Sequence, residues 1–175
     1  MQVRSLNTEL ETLNSLSPEQ ADAEFLKCCG SRTWARAMNE ARPFATVAQL
    51  LVTADDVWSS LSNEDWLEAF RAHPKIGEKK AAIAQSEQAQ KWSAQEQEGT
   101  QEATAETKAA LAEGNRKYED RFGFIFIICA SGKSADEMLA SLNKRLQNDP
   151  ETELVIASAE QRKITRVRLE KLIKK

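Results

Sequence analysis

Apolar residues along this chain recur mostly three or four positions apart, the spacing of a helix face, and seldom alternate as strands do. Ser17-Pro18-Glu19-Gln20 predicts a helix start, with a capping serine, a proline in the first turn and a glutamine three after the cap. Ala23, Phe25, Leu26, Trp34 and Met38 suit helices broken at Gly30, and Pro43 separates them from Val47, Leu50 and Leu51. Thr53 and Ser62 can each cap a further short helix. Trp66, Phe70 and His73 share one helical face, and Pro74 predicts that this helix ends at His73.

Residues 78–118, rich in Ala, Gln, Glu and Lys, read as a solvated helix or helical hairpin, with enough polarity to allow a mobile segment. Phe122 to Ala130 is different: aromatic and β-branched, it would suit a buried strand. No second strand is evident to pair with it, so it predicts a buried, partly extended segment leading into a helix. Ser134-Ala135-Asp136-Glu137 is a capping box before Met138, Leu139, Leu142 and Leu146, and Asp149-Pro150 opens a last helical region running toward Leu172. The expected fold is all-α, a single compact helical domain over residues 1–175.

Composition narrows the function classes. The 175 residues are 41% hydrophobic and 29% charged, ordinary for a globular chain able to bury its own core. A net charge of -3 supplies no field to collect phosphates, which argues against nucleic acid as a partner. Cys28, Cys29 and Cys129 make a poor disulfide framework and suit a reducing compartment. Met1 to Leu6 lacks the apolar run of a leader, and the apolar stretch Phe122–Ala130 is too short to cross a bilayer. The expected location is the cytoplasm, with no membrane partner.

His73, the only histidine, is the first candidate for chemistry. It lies at a helix end beside Trp66 and Phe70, and Pro74 and a Lys75-Ile76-Gly77 loop follow. With a reference pKa near ~6.5, an imidazole is the natural proton donor or acceptor at neutral pH. One histidine cannot build a two-histidine metal motif, and the cysteines lack zinc spacing, which leaves open only a carboxylate-only Mg²⁺ site that has no local signature. Ser93-Ala94-Gln95-Glu96-Gln97 is the second candidate. Ser93 and Glu96 form a capping-box pattern that would start a helix, and a helix start presents N–H groups suited to an anion. Arg168 is the third. It lies four residues from both Ile164 and Leu172, on or beside the apolar stripe of the last helix, where an arginine needs either a protein carboxylate or a ligand anion.

Together these pieces resemble the 2-oxo-4-hydroxy-4-carboxy-5-ureidoimidazoline (OHCU) decarboxylases of urate degradation. The shared features are His73-Pro74 with Lys-Ile-Gly, Ser93-x-x-Glu96-Gln97 with Gly99, Tyr118 with Arg121-Phe122-Gly123-Phe124-x-Phe126, and Lys163-Ile164 with Arg168-Leu169. The resemblance runs from the Phe25 region to Leu172. It implies an all-α enzyme without cofactor or metal that releases (S)-allantoin. His73 and Glu96 would be catalytic. Pro74, Ser93, Gln97, Arg168 and the main chain of Phe126, Ile127, Ile128, Cys129 and Ala130 would bind substrate. The partner would be a small ureidoimidazoline carboxylate, and the family's habit allows a homodimer. The loop Lys75-Ile76-Gly77-Glu78 departs from the Asp-Leu-Ala-Gly form of animal members and looks like the bacterial variant.

Such a substrate carries its own electron sink, the ring imine, so the protein has only to orient it, stabilise charge and deliver a proton to one face. Two other readings fit the residues alone. In a helical binding module, His73 would pack in a core, Ser93 and Glu96 would merely cap, and Arg168 would pair with a neighbour such as Glu160 or Glu170. A different lyase or hydrolase would act on another purine-ring fragment.

Overall fold

The helices begin where short polar side chains can accept the first free N–H groups. In the computed structural model, backbone is described for residues 2–174 and side chains from Thr8 onward. All of Met1 to Leu6, read above for a leader, therefore lies outside the described side chains. Nine α-helices and no β-strand are found among the described residues: α1 Gln2–Ser15, α2 Pro18–Cys28, α3 Arg32–Glu40, α4 Val47–Ser60, α5 Asn63–Arg71, α6 Glu87–Glu96, α7 Ala105–Phe122, α8 Ala135–Arg145 and α9 Pro150–Leu172. The all-α expectation holds. None of these helices is long and apolar enough to cross a membrane.

Ser17 and Ser134 each form the reciprocal capping box that their sequences predict. Ser62 accepts from the Asp65 N–H at 3.3 Å and opens α5. Thr53 does not cap. It lies inside α4, whose N-cap is Thr46, so that helix starts about two turns earlier than the sequence suggested. Helix α5 stops at Arg71, two residues short of His73, because Pro74 excludes helical geometry just ahead of it.

The chain packs as two compact units, 1–69 with 162–175, and 70–161. The first unit is built around Phe25, whose ring meets Trp34 edge-on at 6.0 Å and Phe44 at 6.4 Å. The Trp34 indole N–H donates to the Ala54 carbonyl at 3.2 Å, so this large ring is buried without an orphaned donor. The Arg42 guanidinium donates to the Leu13, Asn14 and Leu16 carbonyls and closes the C-terminal end of α1.

Cys28 and Cys29 are also buried in the first unit. Burial pushes the Cys29 thiol up to about 12 and raises Cys28 as well. Both thiols therefore stay protonated in the folded chain at pH values where an unfolded thiol ionises.

The second unit holds the aromatic segment. Phe122, Phe124 and Phe126 alternate along chain that leaves α7 through Gly123, in the left-handed conformation at φ 76°. Period-two spacing turns all three rings toward Tyr118, at centroid distances of 4.6, 5.8 and 5.3 Å. As expected, this chain joins no sheet and is non-helical from Gly123 onward, with Phe126, Ile127, Ile128 and Ala130 buried. A Cβ on Gly114 would stand 2.5 Å from Leu142 Cδ2, so the glycine is what allows α7 and α8 to approach so closely.

Beneath these rings lies an ionic network. The Glu153 carboxylate, 0% exposed, accepts from Arg145 Nε at 2.7 Å, from Asn148 Nδ2 at 2.8 Å and, in a very short contact, from the Tyr118 hydroxyl. Arg145 also donates to the Ile127 carbonyl at 2.7 Å and stacks over Phe126, 4.6 Å from its centroid. Burial, then the Glu153 hydrogen bond, raises the Tyr118 hydroxyl well above the usual phenol range.

Two predictions follow from these interiors. Arg145→Met strands a buried carboxylate and should cost about 3–5 kcal/mol in urea unfolding. Tyr118→Phe removes only one charge-assisted bond and should cost about 1.5–3 kcal/mol. Equal, small losses would show that water already serves Glu153. For the cysteines, the folded chain holds more protons than the unfolded one between the ordinary thiol value of 9.0 and about 12. Stability should thus fall as pH rises through that window, and Cys29→Ala should flatten the decline.

Candidate active site

Pro74 ends α5 and leaves the chain from Ala72 to Gly77 without a helical ladder, so its polar groups need other partners. Amide side chains supply them. Gln85 Nε2 donates to the Ala72 carbonyl in a very short contact. Gln161 Oε1 stands 2.7 Å from His73 Nε2. Asn115 Nδ2 donates to the Ile76 carbonyl at 2.8 Å, and the Gly77 N–H donates to Gln97 Oε1 at 2.9 Å. The His73 N–H reaches back to the Phe70 carbonyl at 3.1 Å, and Lys75 pairs with Glu119 at 2.5 Å. Gly77 sits at φ 88°, in the left-handed region a side chain would disfavour. The strap carrying His73 is therefore fixed at both ends, and His73 is only 8% exposed.

Ser93 and Glu96 are placed differently from the sequence expectation. Helix α6 is capped seven residues earlier by Ser86, whose hydroxyl accepts from the Ala89 N–H. Ser93 and Glu96 lie in its last turn and Gln97 is its C-cap. Burial of Ala89, Trp92, Ser93 and Glu96 on one face decides the helix register, which the capping pattern at Ser93 could not. The helix-start anion site proposed for Ser93 is thus not formed. Ser93 instead accepts from Gln85 Nε2 at 3.4 Å, on the amide that also holds Ala72.

Pro74, Ser93 and Gln97 line one cleft of about 480 Å³, together with Gly77, Lys79 and Thr100. Glu96, one step further round the helix than Gln97, lines another cleft of about 660 Å³ with Gly99, Thr104 and Lys133. Among the described residues, no group of three or more His, Cys, Asp or Glu side chains is arranged to hold a metal ion.

In the 126–130 segment, main-chain groups are partly committed within the protein. Arg145 takes the Ile127 carbonyl, and the Cys129 N–H donates to Glu160 Oε2 at 2.8 Å. Burial, then that carboxylate, raises the Cys129 thiol. The Lys133 N–H occupies the Ala130 carbonyl at 3.0 Å. Phe126, Ile127, Ile128 and Ala130 are buried, and Cys129 is half-buried.

Arg168 belongs to the first unit, where it is buried and donates to the Lys27 carbonyl at 3.3 Å. Its placement on the inward stripe of α9 matches the sequence reading. That stripe also contains Gln161, which sequence reasoning missed: Ala157, Gln161, Ile164 and Arg168 are all buried at spacings of four, three and four. Extending the apolar period upstream from Ile164 would have found it. Gln85 and Asn115 carry no such signal in a chain rich in amides.

Gly99 marks a close approach. A Cβ there would stand 2.0 Å from the Lys133 carbonyl oxygen, which is backbone and cannot rotate away. Gly99→Ala should therefore displace the Lys133–Ser134 turn and cost about 1–3 kcal/mol in thermal or urea unfolding. Wild-type stability in that variant would mean that the turn yields freely.

The sequence model described as OHCU decarboxylase matches residues 14–170. The chain is 40% identical to the uric acid degradation bifunctional protein TTL of Arabidopsis thaliana over 158 residues, covering 90% of this chain and 48% of that protein. It thus spans about half the length of that relative. It is 31% identical to the 2-oxo-4-hydroxy-4-carboxy-5-ureidoimidazoline decarboxylase of Xenopus laevis over 167 residues, 92% of each chain. A crystal structure of an OHCU decarboxylase in the presence of (S)-allantoin superposes with a TM-score of 0.76 at 40% identity, covering 87% of this chain and 99% of that one. With its helical fold and a family match running almost end to end, this chain belongs to the OHCU decarboxylase family.

Proposed function

We propose that the chain decarboxylates 2-oxo-4-hydroxy-4-carboxy-5-ureidoimidazoline to (S)-allantoin, in the oxidation of urate, without cofactor or metal. The observation that carries this reading is the buried, immobilised imidazole of His73, the chain's only one, next to the cleft-lining Pro74. The family membership and the 40%-identical structure with (S)-allantoin support it.

In this proposal the bond between the carboxylate carbon and the ring breaks and carbon dioxide leaves. Its electron pair moves toward the adjacent ring imine, whose nitrogen takes up a proton. The hydroxyl-bearing carbon then becomes a carbonyl as its neighbour accepts a proton from one side. His73 is that proton donor, and delivery from a fixed side makes one enantiomer. Glu96 holds a ureido N–H or the imidazole. Pro74, Ser93, Gln97 and the 126–130 main chain orient the ring. Arg168 keeps the anion-gripping role that the family resemblance gives it. The proposal extends to a cytoplasmic homodimer acting on this small carboxylate.

The experiment is an optical one. Spontaneous decay of the substrate yields racemic allantoin, so circular dichroism of the product reports the enzyme alone. The wild-type chain should give optically active product, and His73→Ala should lower that rate by about 10²–10⁴-fold while keeping its helical content. Racemic product from the wild-type chain, or full activity in the folded variant, would overturn the reading.

A further inference from the structure

The mechanism above leaves open which imidazole nitrogen of His73 exchanges the proton, and what keeps the ring in the required form. Gln161 faces this question directly. Its side chain is 0% exposed, and its Oε1 is 2.7 Å from His73 Nε2, across 88 residues of sequence. An amide sealed this deep must have its hydrogen bonds satisfied within the protein.

We infer that Gln161 is the positioning residue for His73: its amide oxygen accepts from Nε2–H, so that the proton exchanged with substrate is the one on Nδ1. An amide oxygen can accept this hydrogen bond but cannot take the proton at neutral pH. The Nε2 proton therefore stays in place through the cycle, while Nδ1 gains and loses its own. A carboxylate at position 161 would satisfy the same geometry. It would also stabilise the imidazolium and resist release of the proton that the reaction consumes. A neutral acceptor fixes the ring without that opposition. The backbone supports the same division of labour. The His73 N–H is tied to Phe70 and the following residue is proline, so the ring is the part of this residue left for Gln161 to orient.

The inference rests on the decarboxylase reading for its catalytic meaning, but its test does not need substrate. One histidine in the sequence means one imidazole in a ¹⁵N-histidine spectrum. Recorded at about pH 8.5, above the ~6.5 reference value for imidazole, the spectrum of the full chain should show a neutral ring protonated at Nε2. Gln161→Met should lose that fixed pattern and exchange between tautomers. It should lower kcat by about 10- to 100-fold, less than loss of the acid itself, with KM within about 3-fold. Gln161→Glu retains an acceptor. It should restore the Nε2–H pattern, which also separates positioning from folding if the methionine variant unfolds. A wild-type ring protonated at Nδ1, or an Nε2–H pattern unchanged in a folded Gln161→Met, would overturn the inference. Failure of the decarboxylase reading is registered separately, by racemic product from the wild-type chain with these spectra as expected.

Discussion

Ending a helix at a proline leaves peptide groups that no repeating ladder serves. In this protein that need falls on the residues carrying the imidazole. The strap from Ala72 to Gly77 is held by Gln85, Gln161, Asn115 and Gln97. Amides suit this task because each offers both a donor and an acceptor and none changes charge with pH. The strap also ties in Ser93 and Gln97, although neither starts a helix. Ser93 shares Gln85 with the Ala72 carbonyl, and Gln97 receives the Gly77 N–H.

A second set of constraints shapes the 126–130 segment in the same unit. Extended chain outside a sheet must find hydrogen bonds singly, and here ionic side chains provide them. Arg145 serves the Ile127 carbonyl from below, and Glu160 serves the Cys129 N–H. Glu153 neutralises Arg145 and is in turn covered by Tyr118, around which the alternate phenylalanines pack. Hydrophobic packing and main-chain placement are therefore coupled through one arginine. Glu160 and Gln161, adjacent on α9, divide their work between the Cys129 main chain and the His73 ring.

The helices were legible wherever their signals were local. Ser17, Ser134 and Asp149-Pro150 lie within four residues of the groups they cap, and their readings held. Ser93 misled because Ser-x-x-Glu also occurs inside helices. The true cap, Ser86, has Ala89 three residues on and so lacks the reciprocal signature. Thr53 misled for a related reason, since Thr46 starts the same helix earlier. Of the candidate residues, His73 stood out by its solitude and Arg168 by its place on an apolar stripe. The amides did not stand out. Gln85, Asn115 and Gln161 act on partners 13, 39 and 88 residues away, and nothing short-range distinguishes them from solvated neighbours.

The aromatic stretch after Gly123 has a further consequence for the life of the chain. Phe124-Ile125-Phe126-Ile127-Ile128 combines strong β-propensity with no charge and no proline, the composition that stacks into cross-β fibrils once unprotected. Burial against Tyr118, Met138 and Leu142 keeps it from pairing with its copies. Arg121 and Lys133 flank it as charged gatekeepers. During synthesis, α8 and α9 emerge after this segment, so it must wait for its cover. The same residues that shape the interior are thus the chain's main aggregation hazard before folding is complete.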